Sequence, residues 1–284
     1  MRTTLLCLLT LLVAVGCGAD PAERASSASD ASALLRSTFA NAGQLKSAAI
    51  DLQVARAGDH AHLQGPVVAG KRGELPKFAL SGDVTTAGKT EHDGVTWTGS
   101  RGFVTVKGET YEVPSAMVQL VAAGYQQALQ QGPLMGLDAS RWIKDPRNAG
   151  LATVGGVSTV KITGPADMTQ VAADLDKLGQ GLPGVGGLGS GGREALDNVK
   201  NATVTVYTGA DDQLLRRLVV NADVQSAPSV FDLTLTRVGE DQAIPAPADA
   251  RPFSELMAQF KGGGIGLGAG LQDDGAPRAG AGTP

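Results

Sequence analysis

Alternation of apolar and polar residues with period two recurs along most of this chain and restricts its fold more than any other feature. Ile50, Leu52 and Val54 share one face of a strand, and Asp51, Gln53 and Ala55 share the other. Phe78 and Leu80 alternate with Ala79 and Ser81 in the same way. So do Val95 and Trp97, Val104 and Val106, Val160 and Ile162, Val204 and Val206, Leu218 and Val220, and Phe231, Leu233 and Leu235 with their neighbours. Successive side chains of a strand point to opposite faces, so these segments predict a long antiparallel sheet, apolar on one face and Thr-rich on the other. Links such as Thr208-Gly209-Ala210-Asp211-Asp212 suit hairpin loops.

Helical spacing stands out in three places. Asp30 is placed to cap a helix over 31–42 that carries Leu34, Leu35 and Phe39 and stops at Gly43. Ser115, after Pro114, is placed to open a second helix through Gln131, with Met117, Leu120, Val121 and Ala128 at helical intervals. Asp167, with Gln170 three residues on, resembles a capping box. The helix it opens has an apolar stripe of Met168, Val171, Ala172, Leu175 and Leu178, ended by Gly179. Many strands with few helices indicate an α+β fold. The expected form is a large curved antiparallel sheet, a half-barrel, with helices packed on its concave face and a groove between the two.

The first residues form a short positive start at Arg2, an apolar run from Leu5 to Val15, and then Gly16-Cys17. The run is too short for a bilayer-spanning helix, which needs about 20 residues. Residues 1–16 therefore read as a signal peptide. Gly16-Cys17 reads as the end of a lipobox, with Cys17 as the lipid anchor, although Ala14 stands where Leu is usual. Of the 2 cysteines, Cys7 leaves with the signal and Cys17 is acylated, so the mature chain has no disulfide to form. Acyl chains contribute about 0.8 kcal/mol per buried CH₂, enough in pairs to hold a protein on a membrane. Residues 17–29 read as the lipidated Cys and a flexible tether, 30–260 as one domain, and 261–284 as a disordered Gly-rich tail. The expected location is the extracytoplasmic face of the cell membrane.

Chemistry-bearing motifs are few. The net charge is −4 with no Lys/Arg cluster, which gives nucleic acid no electrostatic footprint. Gly65 to Lys71 matches part of a phosphate-binding loop, but Arg72 stands where Ser or Thr should hold Mg²⁺. The Gly-rich stretch Gly179 to Gly192 follows a helix rather than a strand, which is wrong for dinucleotide binding and suits a loop at a groove mouth. His60, His62 and His92 could share a metal, yet nothing fixes a third ligand, and solvated residues on the polar sheet face are the plainer reading. Ser190, within Gly189-Ser190-Gly191, lacks the elbow that would hold a nucleophile. No catalytic residue, no metal and no cofactor is expected, and the chain reads as a non-enzyme.

Three stretches resemble the mycobacterial LppX/LprG-type lipoproteins, relatives of the LolA-like half-barrels. They are Trp142-Ile143-Lys144-Asp145-Pro146, Val157 to Gly164 leading into the helix at Asp167, and Phe231 to Val238 running into Ile244-Pro245-Ala246-Pro247. The resemblance spans about Asp30 to Asp249 and is mostly one of order and spacing. It implies a hydrophobic cavity between curved sheet and helices that carries acyl lipids or lipoglycans across the envelope. The Gly-rich insertion, the Gly-rich tail and the few large apolar residues depart from the family pattern. Candidate groove residues are Phe78, Leu80, Trp97, Val160, Ile162, Val206 and Leu233 on the sheet, with Met117 and Val121 on the helix above it. The other reading of these residues is ordinary core packing, and the other reading of the chain is a non-catalytic structural or regulatory interaction module of the envelope. The ligand's identity and any protein partner stay open.

If Cys17 is the anchor, Cys17→Ala abolishes incorporation of a fatty-acid label in expressing cells and releases the protein from membranes. A wild-type chain that takes up no label would sink the lipobox reading.

Overall fold

The computed structural model describes residues 21–70, 74–129, 139–171, 173–174 and 198–263. The Gly-rich stretch 179–192 with Ser190, the expected anchor residue Cys17 and the tail from 264 onward lie outside the described residues. Twelve strands form a single sheet in the order β12-β6-β5-β4-β3-β2-β1-β11-β10-β9-β8-β7. In chain order they are β1 (Ser47–Arg56), β2 (Asp59–Val68), β3 (Lys77–Thr86), β4 (Lys89–Trp97), β5 (Gly102–Val106), β6 (Glu109–Val113), β7 (Arg147–Val154), β8 (Val157–Pro165), β9 (Val199–Gly209), β10 (Leu215–Val224), β11 (Ala227–Thr236) and β12 (Arg251–Pro252). All neighbours pair antiparallel except the two-residue β12, which lies parallel to β6. The sheet does not close, because β12 and β7 are its two edges. This is the expected α+β half-barrel.

The register shows why one face is apolar. Residues directly opposite across a ladder share a face. Leu63, Leu52, Leu233, Leu218, Val206 and Ile162 are paired in turn across β2, β1, β11, β10, β9 and β8, so they form one continuous apolar row. The other face carries the matching polar row of Gln64, Asp51, Thr234, Arg217, Tyr207 and Lys161.

Helix α1 (Pro21–Ala40) covers part of the apolar face. Its described part already runs from Pro21, so Asp30 lies inside the helix instead of capping it. Ala31 and Leu35 pack with Ile143, Ile162, Val204, Val206 and Leu218 into the main core. Thr38 and Thr208, both fully buried, are joined by a 2.8 Å hydroxyl contact that ties helix to sheet.

Helix α2 (Ser115–Leu129) matches the expected second helix, with the Pro114 carbonyl accepting from Met117 and Val118 at its start. Its Val118, Ala122 and Tyr125 meet Leu75, Phe78 and Trp97 in a second, smaller cluster. Asp167 caps the next helix as expected, its Oδ1 accepting from the backbone N–H groups of Thr169 and Gln170 at 3.1 and 3.3 Å. A further helix, α3 (Phe253–Gly263), has no counterpart among the three that the spacing predicts. It docks on β6, where Gln259 donates to the Tyr111 hydroxyl at 2.9 Å. That hydroxyl in turn donates to Glu109 and holds its carboxyl below the ordinary carboxylate range.

Leu35 is 1% exposed at the centre of the main core. Leu35→Ala is expected to cost about 2–5 kcal/mol, from lost transfer energy plus the cavity left behind. Urea unfolding followed by circular dichroism measures it, and a loss below about 1 kcal/mol would show that α1 is not needed to seal the core.

Candidate functional site

The concave face extends past the part that α1 covers. One residue pair further along the strands, Val54, Phe231, Val220 and Val204 form a second row across β1, β11, β10 and β9. A groove of about 370 Å³ lies above this row. Its opposite wall is made by Trp142, Ala166, Met168 and Val171, and its end by Val199, Ala202 and Val224. Val54 is 40% exposed although it points to the apolar face. A contiguous apolar stretch that lines a concave pocket is a candidate binding surface.

Close backbone approach builds the wall. The Lys144 N–H donates to the Pro165 carbonyl and the Asp167 N–H to the Trp142 carbonyl, so residues 142–144 run alongside the end of β8. Gly164 sits beneath this crossing, and a Cβ there would come within 2.6 Å of both the Ile143 side chain and the Lys144 carbonyl oxygen. The Trp142 indole Nε1 donates to Asp174 Oδ2 at 2.8 Å, and Asp174 is buried. This bond pins the indole to the helix that begins at 168, so the wall's two parts hold each other.

The nine sequence-derived groove candidates fall elsewhere on the same molecule. Val160, Ile162, Val206 and Leu233 belong to the main core beneath α1. Phe78 and Trp97 belong to the second cluster beneath α2, and Leu80 lies on the same face of β3 opposite Val95. The Trp97 indole Nε1 is buried and has no acceptor among the described residues. Met117 and Val121 turn away from the sheet and are 46% and 47% exposed, because α2 meets the sheet through Val118, Ala122 and Tyr125 instead. The groove at Val54 brings none of the nine together. Its floor residues are visible in sequence as further members of the same alternation, and Trp142 and Met168 stand out as large apolar residues around the Asp167 cap. Nothing local in the sequence marks where helical cover ends.

The polar features of the sequence take structural places. Gly65 to Val68 forms the end of β2 rather than a phosphate loop, with Gly65 needed where a Cβ would fall 1.8 Å from the Ala79 carbonyl oxygen. His62 lies 3.2 Å from Asp51 and His92 lies 3.1 Å from Asp83, each pair exposed on the polar face. Among the described residues no group of three His, Cys, Asp or Glu is placed to hold a metal ion. A wide depression of about 810 Å³ crosses the polar face near Asp51, Arg217 and Asp232. Its central charges pair with each other: Arg217 is bidentate to Asp232 at 2.9 and 2.5 Å, and its guanidinium lies 5.5 Å from the Tyr207 ring centre. Asp232 accordingly holds the Arg217 proton more firmly than usual. Among the described residues no helix is long and apolar enough to cross a membrane.

No protein-family model matches the chain, and no curated protein matches it significantly. Solved structures do. LprF from Mycobacterium bovis superposes with a TM-score of 0.50 at 17% identity, over 78% of this chain and 98% of LprF. The lipoprotein LppX from Mycobacterium tuberculosis gives a TM-score of 0.45 at 16% identity, over 76% of this chain and 99% of LppX. The likeness is one of fold: the chain has the LppX/LprG-type half-barrel.

Trp142→Phe keeps an aromatic ring, smaller than the indole, and removes one donor to buried Asp174. It is expected to lower stability by about 1–3 kcal/mol, the cost of depriving a buried acceptor of a bond. Urea titration of the variant checks this, and an unchanged midpoint would show that the indole bond does not hold the wall.

Proposed function

We propose that this chain is an envelope lipoprotein, anchored through Cys17, that binds the acyl part of a lipid or lipoglycan in the groove at Val54 and carries it outside the cytoplasmic membrane. The observation that carries the reading is the apolar groove itself. Its described lining is almost wholly aliphatic or aromatic, and its volume of about 370 Å³ falls in the ordinary range of ligand sites. An acyl chain seated there would bury its own apolar surface together with that of Val54 and the exposed part of Phe231, at about 25 cal/mol per Å². The shared half-barrel fold and the lipobox reading support the same assignment. On this reading the chain is a binder of lipid rather than a catalyst acting on it. The nine sequence-derived candidates touch the ligand only if it reaches beyond the groove along the concave face.

One observation favours a second reading, a protein-interaction module. Met117, Leu120 and Val121 form an i, i+3, i+4 stripe on the outer side of α2, with Leu120 59% exposed. A partner helix could cover such a stripe. Extraction of the purified protein followed by mass spectrometry separates the readings, since a carrier retains lipid.

Val54→Gln tests the groove directly. Because Val54 is largely exposed, the change should alter stability by no more than about 0.5 kcal/mol. It should weaken a fluorescent fatty-acyl ligand by about tenfold or more, because the amide must be desolvated against an apolar tail. Equal affinity in variant and wild type would exclude this groove as the lipid site, and the same substitution at Leu120 should leave lipid affinity unchanged.

A further inference from the structure

Among the described residues lining the groove, one side chain is charged, and it stands at one end. Arg56 closes β1 on the concave face, two residues beyond Val54, and is paired across the ladder with Ser229. The apolar rows thus end in a third row of Arg56, Ser229 and Ala222 at the hairpin tips. The Arg56 guanidinium donates through Nη2 to Gln225 Oε1 at 2.5 Å, in the turn between β10 and β11, which holds it at the rim. Gln225 is neutral, so this contact orients the cation without neutralising it.

Among the described residues no carboxylate forms an ion pair with Arg56, and the two nearby ones turn to neutral donors. Asp59, opposite Arg56 in the β1–β2 ladder, accepts from the Ala87 N–H at 2.9 Å. Asp223 accepts from Asn201 at 2.7 Å. A guanidinium has five N–H donors in a planar fork that fits phosphate and carboxylate oxygens, and Gln225 takes one of them. The site is therefore amphipathic along its length: cationic at the open rim and apolar from Val54 to Trp142.

Resting on the acyl-lipid reading above, we infer that the groove selects lipids with an anionic headgroup, a phosphate or a carboxylate, and that Arg56 is the residue that makes the selection. The tail lies over Val54, Phe231 and Val204, and the headgroup oxygens accept from the Arg56 guanidinium at the rim. A neutral lipid keeps the tail contacts and leaves the cation to water. The rim is exposed, so the preference is moderate and weakens as salt rises.

The test uses the purified full chain and three ligands with the same fluorescently labelled acyl chain: a fatty acid, a lysophosphatidic acid and a monoacylglycerol. Wild type is expected to bind at least one anionic ligand about five- to tenfold more tightly than the neutral one, with the gap shrinking in high salt; which anion is preferred identifies carboxylate or phosphate as the natural headgroup chemistry. Arg56→Gln should bring the anionic ligands to the neutral affinity while leaving the monoacylglycerol and the melting temperature unchanged, and Arg56→Lys should keep part of the preference. Equal binding of all three ligands by wild type, or a preference that survives in Arg56→Gln, overturns the selection by Arg56 while the groove reading stands. Failure of wild type to bind any of the three overturns the acyl-lipid reading and this inference with it.

Discussion

An open sheet of twelve strands has a concave apolar face too wide for its helices, and the rest of the molecule follows from how that face is covered. The part of the first apolar row from Leu233 to Ile162 meets α1 and becomes the main core. Near β3 and β4 the face meets α2 and forms the smaller cluster around Trp97. Between the β1–β2 hairpin tip and the start of β9, the row at Val54 and Phe231 has a wall beside it but space above it. Apolar surface left against water is unfavourable in proportion to its area, and an apolar ligand that fills the space relieves it.

The wall that turns this stretch into a groove depends on two devices. One is the close crossing of residues 142–144 over the end of β8, which only Gly164 allows. The other is the pairing of a buried carboxylate with an indole donor, Asp174 with Trp142. A buried polar group is costly without its partner and specific with it, so this pair fixes where the helix beginning at 168 sits relative to the sheet. The Asp167 cap starts that helix at the same crossing, and a short local motif thereby sets the position of Met168 and Val171 over the groove.

Two faces of one sheet serve different ends. The convex face is a ladder of Asp, Arg, Gln, Thr and His, several of them bonded to one another, as in Asp51 with His62 and Arg217 with Asp232. The concave face holds apolar rows that stop at Arg56. The division arises from period two alone, because each strand sends alternate side chains to opposite sides.

That period is also why so much of the fold was legible in the residues themselves. Alternation at Ile50-Leu52-Val54 and Phe231-Leu233-Leu235 determined the sheet and its apolar face, and the spacing after Asp167 determined a capped helix, because both patterns are local consequences of backbone geometry. The strand at Gly65-Pro66 was hidden by residues that seldom build strand interiors, and Asp30 offered a plausible cap that the longer α1 overrode. The candidate site was legible only in kind. Val160, Ile162, Val206 and Leu233 carry the same alternation as Val54, yet they pack into the main core beside α1 while Val54 stays 40% exposed. Met117 and Val121 have the same helical spacing as Val118 and Ala122, yet they face outward. Which apolar residues pack and which line a groove depends on contacts between segments more than a hundred residues apart, such as Thr38 with Thr208, and no local pattern encodes where a helix will lie across a sheet.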